Sequence, residues 1–121
     1  MEKLYLGDSI CFIEGQEERA RIKEIVENDC VVFQLFGVFS GETTHDLLDE
    51  LISVSMSKKD IVLDMEKVQY ISSSVLEVFL RVEKKAESNK KTLKFIKVNQ
   101  NIFDEFKKNG MHELFDIEVM A

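Results

Sequence analysis

Apolar residues along this chain gather into short runs separated by amphipathic stretches. Residues 30–36 (Cys-Val-Val-Phe-Gln-Leu-Phe) are rich in β-branched and aromatic types, are closed by Gly37, and predict a buried strand. Leu47, Leu48, Leu51 and Ile52 then recur at helical spacing, with a capping-box pattern, Thr43 followed by Asp46, ahead of them. Ile61-Val62-Leu63-Asp64-Met65 predicts a second buried strand, and Val75, Phe79, Val82 and Ala86 mark a helical stripe ending in the charged segment 87–91. Residues 92–98 place Leu93 and Phe95, with Lys97 at the same parity, on one face of a third strand. Asn99 is a candidate N-cap for a helix carrying Ile102, Phe103 and Phe106, which Gly110 stops, and residues 117–119 predict a last short strand.

This alternation of strand and helix places the chain in the α/β class, with a mostly parallel sheet, because parallel neighbours need crossovers and helices supply them. Residues 1–28 read differently. Leu4-Tyr5-Leu6 and the run 10–13 are strand-like, with turn signals at Gly7-Asp8 and Glu14-Gly15, while residues 17–26 suit a strand or a helix. They are expected to be an N-terminal β extension of the same domain, with residues 29–121 as its main body. No repeat and no Pro, Ser or Gly-rich linker divides the chain.

Charge and composition narrow the functions. With 16 Lys and Arg against 23 Asp and Glu the net charge is −7, which opposes a polyphosphate partner. Nucleic acid and anionic membranes are therefore not expected partners. No segment reaches the roughly 18 apolar residues of a membrane span, and the expected location is the cytoplasm. Cys11 and Cys30 each sit inside an apolar run and read as buried free thiols. His45, in a helix's first turn, and His112, in the polar stretch after Gly110, read as surface or loop histidines rather than catalytic bases, with no Gly-x-Ser-x-Gly elbow beside them. Asp64, at a strand end, and Asp46, Asp49 and Glu50 show no metal spacing, so neither a metal nor another cofactor is expected. Phe36, Phe39, Phe79, Phe103, Phe106 and Phe115 are assigned to packing.

The most informative stretch is residues 68–80, where a buried strand hands over to an amphipathic helix through Ser72, Ser73 and Ser74. Ser74 as N-cap with Glu77 at the third helical position matches a capping box. That leaves Ser72 and Ser73 beside a helix N-terminus, whose free amides favour a phosphate. Tyr70-Ile71 followed by Ser72-Ser73-Ser74-Val75-Leu76-Glu77 resembles the STAS signature, in which a hydrophobic pair precedes Asp-Ser-Ser-Gly-Leu-Gly. The resemblance extends from about Asp29 to Val119 in the order and spacing of elements.

The resemblance implies the fold of anti-sigma-factor antagonists, a mixed, mostly parallel sheet with helices packed on it, and a binding role without enzymatic turnover. In that family a serine of this turn is phosphorylated by a partner kinase, and only the unphosphorylated form binds that kinase. Ser73 matches the phosphoacceptor and Ser74 the serine after it, and the resemblance makes both candidate phosphoacceptors. The implied docking surface comprises Ser40, Ser72, Ser73, Ser74, Val75 and Glu77, and the implied partner is an anti-sigma factor or related serine kinase. Ser72 and Ser40 stand where the family has Asp, and Val75 and Glu77 where it has Gly. Val75 would bar close approach of a partner backbone, and Glu77, in the first helical turn, would compete with a phosphate. The other reading is a non-switching STAS adaptor or scaffold in a signalling or transport complex.

Overall fold

The structure, a computed structural model, describes residues 2–6, 9–14, 17–40 and 59–120, with side chains from residue 20 onward. The expected helix around residues 47–52, with Thr43, His45, Asp46, Asp49 and Glu50, lies outside the described residues, as does the Cys11 side chain.

The described strands are β1 (Glu2–Leu6), β2 (Ser9–Glu14), β3 (Glu17–Val26), β4 (Cys30–Phe39), β5 (Asp60–Ile71), β6 (Leu93–Val98) and β7 (Asp116–Val119); the helices are α1 (Ser73–Ser88) and α2 (Gln100–Lys108). They form a seven-stranded sheet in sequence order. β1 to β4 pair antiparallel, and β4 to β7 pair parallel. Residues 17–26, compatible with either element in sequence, are strand β3, because pairing along Ala20↔Gly37 to Val26↔Val31 commits them to the sheet. Right-handed crossovers advancing in one direction put α1 and α2 on the same face.

The core between helices and sheet is centred on Phe95 of β6. Its ring meets Phe79 of α1 at 5.1 Å and 72°, Phe106 of α2 at 5.3 Å and 68°, and Phe115 at 5.1 Å. These edge-on contacts fasten both helices to one strand. Val75, Phe79, Val82 and Ala86 are all buried, as the helical stripe predicts. Phe39 joins them, whereas Phe103 is partly buried and Phe36 lies half-buried on the other face of the sheet.

β5 departs from a regular strand. Its offset against β4 grows from 30 (Gln34↔Asp64) to 31 (Phe36↔Lys67) to 32 (Val38↔Tyr70), so two extra residues are inserted along its length. Each insertion reverses the alternation of side chains. Buried Ile61, Leu63 and Met65 are therefore followed by Val68 and then Ile71 on the same face. Two sequence expectations fail here. Gly37 does not close β4 but lies inside it, with φ +94°, opposite the irregular part of β5. Asp64 is not at a strand end but within β5, where Oδ1 accepts the Glu66 N–H at 3.1 Å and Oδ2 lies 3.8 Å from Lys97 Nζ. Its charge is met from within the chain.

Lys97 corrects a third expectation. At φ +53° it breaks the alternation of β6, so Leu93, Phe95 and Val98 are buried while Lys97 points outward to Asp64 and, at 3.5 Å, Glu66. Cys30 is half-buried rather than buried, since it opens β4 beside Glu27.

Both helices end in the same double hydrogen bond. In α2, Gly110 and Met111 N–H donate to the Lys107 and Phe106 carbonyls, with Gly110 at φ +70°; in α1, Lys90 and Lys91 donate to Glu87 and Ala86, with Lys90 at φ +57°. Lysine thus occupies a left-handed position that suits glycine. Lys90→Gly is expected to raise stability by about 1 kcal/mol, read from urea unfolding; an unchanged or lower midpoint contradicts the strain. Phe95→Ala is expected to lose about 3–5 kcal/mol in the same assay, and a loss below about 1 kcal/mol would contradict the hub.

Candidate functional site

The three serines follow directly from the end of β5. Ile71, paired with Phe39 of β4, is buried, and the next residue, Ser72, donates its N–H to the Phe39 carbonyl at 3.0 Å. This bond brings the ends of β4 and β5 together, so Ser40 and Ser72 are neighbours. The structure thereby assembles the two segments that the resemblance joins.

Ser72, not Ser74, caps the helix. Its backbone is extended at φ −77° and ψ 161°, its Oγ accepts the Val75 N–H at 3.4 Å, and its carbonyl accepts the Val75 and Leu76 N–H groups, each at 3.1 Å. The expected Ser74–Glu77 box fails because β5 ends one residue before Ser72, so helical geometry begins at Ser73. Ser74, in the second helical position, instead shares a 2.9 Å hydroxyl–hydroxyl bond with Ser72. A neutral hydroxyl thus makes the cap that aspartate would make with a charge.

That leaves Ser73, the first helical residue, with an exposed side chain. The first turn of α1 contains no acidic residue, which corrects the placement of Glu77. Glu77 lies four residues beyond Ser73, one turn down the same exposed face. The amides of the first turn and their positive potential thus sit nearer Ser73 than the carboxylate in sequence. Val75 is fully buried, so its side chain is part of the core and does not face a partner.

Tyr70, missed as a surface residue because it reads as half of a hydrophobic pair, is 49% exposed while Ile71 is 1% exposed. The second insertion in β5 turns Gln69 and Tyr70 outward together, an arrangement that strict alternation in the sequence does not signal.

The perturbed groups lie away from the turn, Cys30 at the start of β4 and Glu83 in the later part of α1. Partial burial, then Glu27 with its 3.7 Å contact, and Asp29 and Asp60 hold the Cys30 thiol above its usual pKa. Burial, then Glu87 and Asp116, raise that of Glu83. His112 lies between α2 and β7, beside Phe103 with ring centroids 6.3 Å apart. Strand direction puts Cys30 and His112 at the end of the sheet away from Ser73. A cleft on the face of the sheet away from α1 and α2, lined by Gln34, Phe36, Asp64, Glu66, Lys67 and Lys97, is likewise separate from the turn. Among the described residues no three His, Cys, Asp or Glu gather as a metal site, and no helix is long and apolar enough to cross a membrane.

The order of β4 to β7 never reverses, so these strands form no switch-point crevice for a small ligand. The features beside the turn are a capped helix start, an exposed hydroxyl and an exposed tyrosine on a small α/β domain. The family model described as "Mlab, STAS domain" matches residues 25–117, most of the chain, and the chain belongs to that family. Its fold is shared with an anti-sigma factor antagonist from Mycobacterium paratuberculosis (14% identity, 82% of this chain and 85% of that one, TM-score 0.70). It is shared also with an anti-sigma-factor antagonist (STAS) domain protein from Planctomyces limnophilus (15% identity, 83% and 91%, TM-score 0.68). A third similar structure is the Bacillus cell fate determinant SpoIIAA in the phosphorylated form (16% identity, 81% and 91%, TM-score 0.64). No curated protein matches the chain in sequence.

The cap assignment is open to measurement. Ser72→Ala is expected to cost about 1 kcal/mol in urea unfolding, Ser72→Asp to be nearly neutral, and Ser74→Ala to cost less than Ser72→Ala. A larger loss for Ser74→Ala would reverse the assignment.

Proposed function

We propose that this chain is a regulatory protein-binding module that resembles an anti-sigma-factor antagonist, docks an anti-sigma factor or related serine kinase, and is switched by phosphorylation of Ser73. The observation that carries this reading is the inequality of the three hydroxyls. Ser72 and Ser74 are tied to each other and to the helix cap, whereas Ser73 is exposed at a helix start. A serine hydroxyl is easily covered by a partner, while its phosphate adds about −1.5 to −2 charge that the partner must desolvate. In this reading the module works by binding rather than turnover, in the cytoplasm, and its partner is a protein rather than nucleic acid, in keeping with the net charge of −7. The docking surface comprises Ser40, Ser72, Ser73, Ser74 and Glu77. Residues 1–28 are read as a β-rich extension of the same domain as residues 29–121.

A second reading, a non-switching adaptor or scaffold subunit of a signalling or transport complex, draws support from Glu77. Its carboxylate shares an exposed face with Ser73 and opposes a phosphate there.

Incubation with the cognate anti-sigma kinase and ATP, read by mass spectrometry, is expected to place one phosphate on Ser73, to leave Ser73→Ala unmodified, and to weaken binding on modification. Unmodified serines without binding would falsify the switch. Equal partner affinity for Ser73→Asp, Ser73→Ala and the unaltered chain selects the scaffold.

A further inference from the structure

The serine turn offers a partner mainly small hydroxyls and one exposed carboxylate. Such groups exchange water for partner contacts at little net gain, and interface affinity is concentrated in a few buried aromatic or Arg side chains. One exposed aromatic adjoins the turn among the described residues. Tyr70 is 49% exposed and lies two residues before the cap Ser72. The other large exposed apolar residues among those described are elsewhere: Val26 and Leu114 at the opposite end of the strands, Val119 and Met120 at the end of β7, two strands away.

The backbone of Tyr70 is also held in place. It pairs with Val38 of β4, whose half-buried side chain lies beside it on the face away from α1 and α2, and the Ser72–Phe39 bond closes the strand ends just beyond it. An aromatic group on a clamped strand loses little conformational freedom on binding. Nothing in core packing explains the outward position, because Val68 and Ile71 supply the buried side chains of this part of β5.

We infer that Tyr70 is the affinity anchor of the docking surface. It inserts its ring into an apolar slot, with its hydroxyl left at the solvent rim, on the same protein that covers Ser73. This rests on the binding reading above and divides the labour within it: Tyr70 holds the partner, and Ser73 decides whether it is held.

The probe is the anti-sigma kinase of the phosphorylation experiment, with its affinity for the full, unphosphorylated chain measured by calorimetry. Tyr70→Ala is expected to weaken binding by about thirtyfold or more, while Tyr70→Phe and Gln69→Ala stay within about threefold. Urea midpoints, expected to remain within the range of ordinary surface substitutions, establish that the variants are folded. Tyr70→Ala within threefold of the unaltered chain, or Gln69→Ala losing as much as Tyr70→Ala, overturns the anchor while the unaltered chain's binding leaves the functional reading standing. Absence of binding by the unaltered chain overturns both.

Discussion

The rest of the molecule depends on β5 keeping its apolar side chains on one face over twelve residues despite two inserted positions. It lies between β4 and β6, so a slip in its register would move Ile61, Leu63, Met65, Val68 or Ile71 out of the core. Asp64 helps hold the first irregularity by accepting the Glu66 N–H and facing Lys97, whose left-handed backbone marks the matching irregularity in β6. Asn99 works near the second: its side chain donates to the Val68 carbonyl at 3.2 Å and accepts from Ile102 N–H at 3.0 Å, tying the start of α2 to β5. The serine turn is presented on a strand end braced from both sides.

The surface that results is built from neutral groups at a place of positive potential. Ser72 caps α1 without a charge, the first turn contributes no carboxylate, and Ser73 faces solvent in the field of the helix N-terminus. A phosphate there would find free amides near at hand and Glu77 one turn away. The groups with raised pKa values, Cys30 and Glu83, belong to other parts of the molecule. The surface around Ser73 is thus governed by hydrogen-bond geometry and the helix field.

Much of the fold is legible in the chain's own pattern. The β-branched runs at 30–36 and 61–65 are strand residues, the stripe Val75, Phe79, Val82 and Ala86 is buried, and Asn99 and Gly110 bound α2, because each signal rests on local geometry. The local pattern misleads where the sheet is irregular. Lys97 follows the parity of Leu93 and Phe95, Gly37 reads as a stop after an apolar run and Asp64 as a strand end, and each lies at or beside an irregularity of the ladder.

The same division holds at the turn. By itself the sequence determined the class of fold and the presence of a hydroxyl-rich helix start after a buried strand, since spacing along the chain encodes both, and the stretch from Tyr70 to Glu77 carries its resemblance to a known family. Which serine caps, which is exposed, that Val75 is buried, that Glu77 lies a turn away and that Tyr70 faces solvent were decided only in the tertiary structure. The reason is physical: the first helical residue is set by where β5 stops pairing with Phe39, and the direction of Tyr70 by a residue inserted against β4. Both are relations between strands and have no signature within one of them.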